Sequence, residues 1–219
     1  MDWRTDILPA PTKRGLDHLS KASWLERGKW YLAGGTALAL QVGHRQSVDL
    51  DFFTTEKMFT PESVLNNFSE SPNEWRTDVL RENTIYGELL GAKTSFIAYP
   101  FFIPSKEKLQ YGLVPVLDKD DIAVMKIVAI SQRGKKRDFV DLYWYAKNVA
   151  PIASVIEKLP TQYPTVAHDY YHIIKSLTYF DDAEPELMPP LFRVASWEDI
   201  KNFFRVEVPA ISKRILHLE

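Results

Sequence analysis

The chain has no cysteine among its 219 residues. Disulfide bonds, zinc sites built from thiolates and cysteine nucleophiles are therefore excluded as explanations of its function. Its formal net charge is only -2 at pH 7, so the chain as a whole is not a polycation. Any contact with nucleic acid must depend on a local basic surface rather than on the overall charge.

Long apolar runs are also missing. The longest one, residues 96–104, is too short to span a bilayer and contains two prolines. The first residues, 1–6, are mixed in charge and precede no apolar segment, so they do not resemble a signal peptide. Hydrophobic residues at 45% and charged residues at 26% are typical of a globular protein. We expect a cytoplasmic protein with no membrane partner.

The hydrophobic pattern changes near residue 117. Before it, short apolar or alternating segments bounded by glycine and proline predict strands. These segments are residues 31–33, 47–53, 80–90 and 93–99, and a hairpin is expected between residues 84–90 and 94–99. After it, Asp118 opens a long helical pattern, and a second helix is expected over about 137–148. We therefore expect an α/β-like part over 1–117 and a helical part over 118–219.

Asp49 and Asp51 are the first candidate functional residues. Side chains alternate along a strand, so both carboxylates would point to one face, while Val48, Leu50 and Phe52 would face the core. Two carboxylates on one face repel each other, and a divalent cation would relieve that repulsion. Oxygen ligands suit Mg²⁺ or Mn²⁺. Two such ions about 3.5–4 Å apart activate a nucleophile and neutralise a leaving pyrophosphate.

A glycine turn precedes this strand and supplies the second half of the pattern. Glycines let the backbone approach a phosphate closely, and the amides that begin the following helix, expected over 36–42, point at that anion. The candidate nucleotide-binding residues here are Gly34, Gly35, Thr36, Arg45 and Ser47. Thr36 would also cap the helix, and Arg45 would pair with a carboxylate or a phosphate. A lone glycine pair or D-x-D is usually a connector or a surface feature, so the hypothesis depends on their combination.

Two blocks of the sequence resemble a known family. The first is Gly34-Gly35-Thr36 followed by His44-Arg45-Gln46-Ser47-Val48-Asp49-Leu50-Asp51-Phe52-Phe53, and the second comprises residues 121–126 and 133–143. Both resemble the AbiEii/AbiGii-type nucleotidyltransferase toxins of the polymerase-β-like superfamily. Residues 179–184 and 197–204 are also similar to such proteins, so the resemblance covers most of the chain.

The resemblance implies an α+β protein with the minimal nucleotidyltransferase fold, in which a small mixed sheet flanked by helices precedes a helical C-terminal part. It implies metal-dependent transfer of a nucleotide from an NTP to an RNA, such as the end of a tRNA, or to a protein. It also implies the toxin half of a toxin–antitoxin pair, in which the antitoxin is often a DNA-binding repressor.

The second block adds three candidate residues. Lys126 and Arg133 are seven apart and share a helix face. Lys126 would hold a triphosphate, or it is a lysine that extends from the edge of the core to solvent. Arg133 belongs to a basic cluster with residues 135–137, which would receive phosphates or form a solvated turn. Asp141 matches the family's most prominent acid in this block, and its structural alternative is a salt bridge to Lys126 or Arg133.

One position departs from the superfamily pattern. Relatives carry a third carboxylate on a later strand, where this sequence has Ser95, and serine is a weaker, uncharged metal ligand. The third acid helps to deprotonate the attacking hydroxyl, and Glu88 would replace it only if its side chain faced the site. Two hypotheses remain open: an active nucleotidyltransferase with a modified metal site, and a catalytically weakened homologue that binds nucleotide or a partner.

Overall fold

A computed structural model of the chain describes residues 2–69 and 73–216. The strands are β1 (Tyr31–Ala33), β2 (Leu50–Thr54), β3 (Trp75–Arg81), β4 (Thr84–Leu89), β5 (Ala92–Ala98), β6 (Leu109–Tyr111) and β7 (Val114–Val116). The α-helices are α1 (Ala10–Leu19), α2 (Trp24–Arg27), α3 (Gly34–Val42), α4 (Pro61–Leu65), α5 (Lys119–Arg133), α6 (Lys136–Asn148), α7 (Ile152–Ile156), α8 (Leu159–Gln162), α9 (Tyr170–Ser176) and α10 (Trp197–Leu216).

The strands form one mixed sheet in the order β3-β4-β5-β2-β1-β7-β6. β2 runs parallel to β5 and antiparallel to β1, while β1 runs parallel to β7. The expected α+β class with a mixed sheet is therefore confirmed, in a sheet of seven strands. The parallel pairing of β2 with β5 matters for function because its register places Asp51 beside Ser95.

The expected hairpin of β4 and β5 is present, but the single strand predicted over 80–90 is wrong. Two separate strands, β3 and β4, meet in a turn at Asn83, whose φ of 57° lies in the left-handed region that asparagine tolerates. The short edge pair β6 and β7 was also not predicted, since Pro115 lies within β7. Proline is compatible with a strand where its missing N–H is not needed for the ladder.

The hydrophobic core extends through both parts of the chain. Leu16 and Leu19 of α1 are fully buried against β2 and β5, and α3 packs on α5 and α6. Strands give way to helices at the position expected from the sequence: Asp118 caps α5 by accepting a hydrogen bond from the backbone N–H of Asp120 at 2.8 Å. The division into two domains at this point stays a prediction.

No helix within residues 2–69 and 73–216 combines the length and the apolar character needed to cross a membrane.

Candidate active site

A cleft of about 730 Å³ lies between helix α5 and the face of the sheet that carries Asp51. Its volume is in the range typical of small-molecule sites. The helix contributes residues spaced three or four apart, which lie on one helical face. They include Ile122, Met125, Lys126, Ala129 and Arg133. The expectation that Lys126 and Arg133 share a face is therefore confirmed.

Asp49 and Asp51 both line this cleft. Asp51 faces it from β2, whose alternate residues Leu50 and Phe52 are fully buried on the other side of the sheet. Asp49 lies one residue before the strand begins. The expectation that Val48 is buried is wrong, since its side chain is 48% exposed. Regular alternation starts only at Leu50, so it does not govern the orientation of Val48.

The two oxygens of the Asp51 carboxylate differ in their hydrogen bonding. Ser95 Oγ donates to Asp51 Oδ1 at 2.7 Å, which supports the alignment that put Ser95 at the third acidic position. In the part of the chain that the structure describes, Oδ2 of Asp51 has no hydrogen-bond partner. Burial raises the pKa of Asp51 and the nearby Asp49 raises it further, against the opposing effect of the Ser95 hydroxyl.

Asp49 is bound by an arginine of α6. Arg137 Nη1 lies 2.9 Å from Asp49 Oδ2, and both side chains are partly exposed to the cleft. Burial of the Arg137 guanidinium opposes its charge, but Asp49 outweighs it and keeps the pKa of Arg137 above its usual value. Sequence reasoning named Arg137 only as one member of a basic cluster, because the fold alone brings residues 49 and 137 together.

The glycine turn lies close to the Asp51 carboxylate and to Arg45. Gly34 has a φ of 69°, which favours glycine, and a Cβ there would lie 3.1 Å from Asp51 Oδ2. A Cβ on Gly35 would overlap the Arg45 guanidinium. The prediction that Thr36 caps the helix is wrong, because α3 begins at Gly34 with Ala33 as its N-cap.

Thr36 lies beneath the cleft wall and is buried. Its hydroxyl hydrogen-bonds to Ser47 Oγ at 2.9 Å and to the backbone carbonyl of Asp49. Ser47 lines the cleft itself. Thr36 and Ser47 therefore connect α3 to the segment before β2 and fix the backbone that carries Asp49.

Asp141 lies behind the cleft, at the centre of a buried ionic network. Its fully buried carboxylate accepts two hydrogen bonds from Arg45, at 2.6 and 2.9 Å, and lies 2.6 Å from Lys126 Nζ. His44 Nε2 is 2.7 Å from the same carboxylate. The structural alternative for Asp141, a salt bridge to Lys126, is thus what the geometry shows. Of the two partners expected for Arg45, a carboxylate or a phosphate, the structure shows a carboxylate.

Asp138 extends the network to the cleft surface. Its carboxylate lies 2.7 Å from Lys126 Nζ and 3.2 Å from Arg133 Nε. Burial opposes ionisation, yet Lys126 and Arg133 outweigh it and lower the pKa of Asp138. Arg45 and Lys126 hold the pKa of Asp141 well below its usual value in the same way. Burial lowers the pKa of His44, although Asp141 acts in the opposite direction.

The basic cluster of residues 133–137 does not act as one surface. Arg133 and Arg137 line the cleft, whereas Lys136 turns away. The Lys136 ammonium donates to the backbone carbonyls of Glu184 and Glu186, at 3.2 and 2.5 Å. Two arginines, rather than a stretch of four basic residues, face the carboxylate end of the cleft.

The other end of the cleft is apolar and was missed in the sequence. Phe53, Ile97 and Tyr99 contribute from the ends of β2 and β5, opposite Ile122 and Met125 of α5. The helical spacing of Ile122, Met125 and Lys126 carried a signal for this surface. The strand residues carried none, because their contact with the helix depends on the tertiary fold.

Glu88 does not replace the third carboxylate. Its neighbour Tyr86 pairs with Ser95, so Glu88 faces the same side of the sheet. However, it is hydrogen-bonded to Arg76 at 2.9 Å and does not line the cleft. Over residues 2–69 and 73–216, no group of three histidine or acidic side chains lies close enough to hold a metal. Asp49 and Asp51 therefore remain as the candidate metal ligands. This pair suits Mg²⁺, which is commonly held by one or two carboxylates while waters and phosphate oxygens complete its coordination shell.

The fold is that of the nucleotidyltransferase class. A candidate nucleotidyltransferase from H. pylori has a similar crystal structure, with a TM-score of 0.53, 18% identity and coverage of 94% of this chain and 98% of that one. MenT4, a nucleotidyltransferase toxin from Mycobacterium tuberculosis H37Rv, gives a TM-score of 0.53 at 17% identity, covering 92% and 86%. Such low identities establish the fold alone.

The family follows from the sequence match. The model of the family described as "Nucleotidyl transferase AbiEii toxin, Type IV TA system" matches residues 16–89 and 85–211. The chain belongs to this family. An uncharacterized protein of Aquifex aeolicus (strain VF5) is 37% identical over 187 residues, which cover 82% of this chain and 86% of that protein. The resemblance inferred from the two sequence blocks is therefore confirmed.

Proposed function

We propose that this protein transfers a nucleotide from an NTP to an acceptor hydroxyl, using a divalent ion held by Asp49 and Asp51. The observation that carries the proposal is the open oxygen of Asp51, which lies against Gly34 at the charged end of a nucleotide-sized cleft. Membership of the AbiEii family supports nucleotidyl transfer and a role as the toxin of a toxin–antitoxin pair. We favour an RNA acceptor, such as the end of a tRNA, over a protein.

In the reaction, the acceptor hydroxyl releases its proton to solvent and its oxygen forms a bond to the α-phosphorus, while the bond from that phosphorus to the leaving pyrophosphate breaks. A bound Mg²⁺ or Mn²⁺ would neutralise charge on the phosphates. The chain's own residues would orient the phosphates: the backbone at Gly34 and Gly35 on one side, and Arg133 and Arg137 on the other. Both arginines already line the charged end of the cleft.

Lys126 and Asp141 take different roles in this proposal. Lys126 lines the cleft, but two carboxylates bind its ammonium, so it would contribute positive potential rather than move freely with the substrate. Asp141 would act as a positioning residue, because from behind the cleft it holds Arg45 and Lys126, which both line the cleft. Thr36 would likewise position Asp49 through its backbone carbonyl.

The apolar end of the cleft would accept the nucleobase. Phe53 and Ile97 lie two residues beyond Asp51 and Ser95 on their strands, roughly 6–7 Å further along the sheet. This separation suits a nucleotide whose phosphates lie at the carboxylates and whose base packs between the sheet and Met125. Packing of a base against apolar and aromatic side chains is worth about 1–3 kcal/mol.

A labelling experiment tests the proposal. The protein is incubated with Mg²⁺, each radioactive NTP in turn, and total tRNA. We expect label to enter the RNA, and Asp49→Ala or Asp51→Ala to reduce labelling by more than about 100-fold, since even outer partners of metal ligands are worth about 10–100-fold. Glu88→Ala is the matched control, because it removes a carboxylate from the same sheet face outside the cleft. Labelling by Asp49→Ala at the wild-type rate would show that the site is wrongly assigned.

The toxin role requires a separate test in cells. We expect expression of the wild-type chain to arrest bacterial growth, while Asp49→Ala does not. Co-expression of the adjacent gene, if it encodes the antitoxin, should restore growth. Equal growth arrest by wild type and Asp49→Ala would contradict a role for nucleotidyl transfer in toxicity.

Ser95 favours a second function, that of a nucleotide-binding homologue with weakened catalysis. The Ser95 hydroxyl lies beside Asp51, at the position where relatives carry a third carboxylate, and it has no charge. This function predicts NTP binding by calorimetry without labelling of any acceptor. Ser95→Asp should then raise Mn²⁺ affinity, because it adds a charged oxygen ligand beside Asp51. An unchanged affinity would count against a metal site between these two strands.

A further inference from the structure

Arg137 occupies an unusual place among the arginines of the cleft. Arg45 and Arg133 bind Asp141 and Asp138, which belong to the buried network. Arg137 instead binds Asp49, at 2.9 Å, and Asp49 belongs to the carboxylate pair of the proposed metal site. Among the residues that the structure describes, it is the one cation hydrogen-bonded to that pair.

The backbone that carries Arg137 is fixed on both sides. Before it, Lys136 is tied to the loop at Glu184 and Glu186 through its ammonium and its backbone N–H. After it, Asp138 is held by Lys126 in the buried network. The Arg137 side chain is 39% exposed, so it has room to move while its backbone stays in place.

A guanidinium and a divalent cation compete for the same carboxylate. Arg137 Nη1 points at Asp49 Oδ2, and a metal ion on that oxygen would meet the full positive charge of the arginine. The two like charges repel strongly at hydrogen-bond distance. Once displaced, Arg137 needs another anion, and a polyphosphate in the cleft supplies one that suits its planar, bidentate donor geometry.

We propose that Arg137 exchanges Asp49 for nucleotide phosphate when metal and NTP bind together. Arg137 then opposes binding of metal alone and favours the metal–nucleotide pair, which makes the two ligands cooperative. This inference rests on the proposed function, since it requires Asp49 to hold the ion. In this exchange Arg137 makes the affinity for the metal ion depend on whether nucleotide is bound. Neither Asp49 nor Asp51 has this property.

Calorimetry of the full chain tests the exchange without any turnover. Mn²⁺ alone is titrated first, and inorganic tripolyphosphate is then titrated in the presence of Mn²⁺. We expect Arg137→Gln to bind Mn²⁺ about fivefold more tightly than wild type and tripolyphosphate about fivefold more weakly, which is the upper range for one partly exposed ion pair. Arg137→Lys, which keeps the charge, should stay near wild type for Mn²⁺.

The control is Arg214→Gln, which breaks an exposed pair of the same chemical type, Arg214 with Glu157 at 2.6 Å on a different helix. It should leave both affinities unchanged. If Arg137→Gln lowers the affinity for both ligands, or changes neither affinity, the exchange is contradicted. Binding of both ligands by the wild type would in that case leave the proposed function intact. A wild type that binds neither Mn²⁺ nor tripolyphosphate overturns both. Circular dichroism of each variant verifies that the fold is retained.

Discussion

Two pairs of aspartates lie within a few residues of the same cleft, and their surroundings differ in kind. Asp138 and Asp141 are fully buried and surrounded by Lys126, Arg45, Arg133 and His44. Asp49 and Asp51 face the cleft with one arginine and one serine hydroxyl between them. The pKa is lowered for both members of the buried pair and raised for Asp51.

The difference separates a structural charge cluster from the pair of carboxylates that we propose as the metal site. Buried carboxylates that are matched by cations and hydrogen bonds hold elements together, and here they join α5, α6 and the segment before β2. Carboxylates left short of positive charge gain most from a divalent ion, as the open Oδ2 of Asp51 indicates. Residue type alone does not distinguish the two pairs, because all four residues are aspartate.

Asp141→Asn should have the largest effect. It leaves Arg45 and Lys126 without their shared anion in a buried setting, and breaking such a pair costs about 3–5 kcal/mol. The free energy of unfolding, measured by urea denaturation without metal, should fall by that amount. A loss below about 1 kcal/mol, the usual value for exposed pairs, would contradict the structural role assigned to Asp141.

Asp51→Asn should change stability in the opposite direction. The substitution removes a partly buried charge that Asp49 repels, so the free energy of unfolding without metal should rise by about 1 kcal/mol, the size of a common single-residue effect. Mn²⁺ should raise the melting temperature of wild type and leave that of the variant unchanged. The comparison fails if Asp51→Asn destabilises the protein as Asp141→Asn does.

His44→Gln should have the smallest effect, visible as a pH dependence. Burial lowers the pKa of His44 from the ordinary 6.5, so the folded state keeps it neutral where the unfolded chain takes up a proton. Wild-type stability should therefore decrease as the pH falls below about 6.5. The lowered pKa values of Asp138 and Asp141 reduce stability only below about pH 5, where these carboxyl groups begin to take up protons in the unfolded chain, and so lie outside this range.

The measurement is the melting temperature of wild type and His44→Gln at several pH values between 7 and 5. Glutamine keeps an N–H donor for Asp141 and has no titratable group in this range. The wild-type curve should fall more steeply than that of the variant, while the remaining histidines contribute equally to both. Parallel curves would show that His44 does not stay neutral in the folded protein.

The sequence by itself determined the local elements and the residues that meet within them. Asp118 and the spacing of Ile122, Met125 and Lys126 determined α5, and the alternation of residues 50–52 determined the two faces of β2. These features depend on backbone preferences and on side-chain periodicity, which act over a few residues. The resemblance to the AbiEii family could be found from the sequence because its motifs are also short and contiguous.

Only the tertiary structure decided which charges meet. Arg137 reaches Asp49 across 88 positions, and Arg45 and Asp141 are 96 apart, so no local pattern ties them together. The division of four aspartates into a buried pair and a cleft pair depends on which cations the fold brings within 3 Å of each. Long-range packing of α6 against α3 therefore determined which carboxylates are matched by buried cations and which face the cleft, where we propose the metal site.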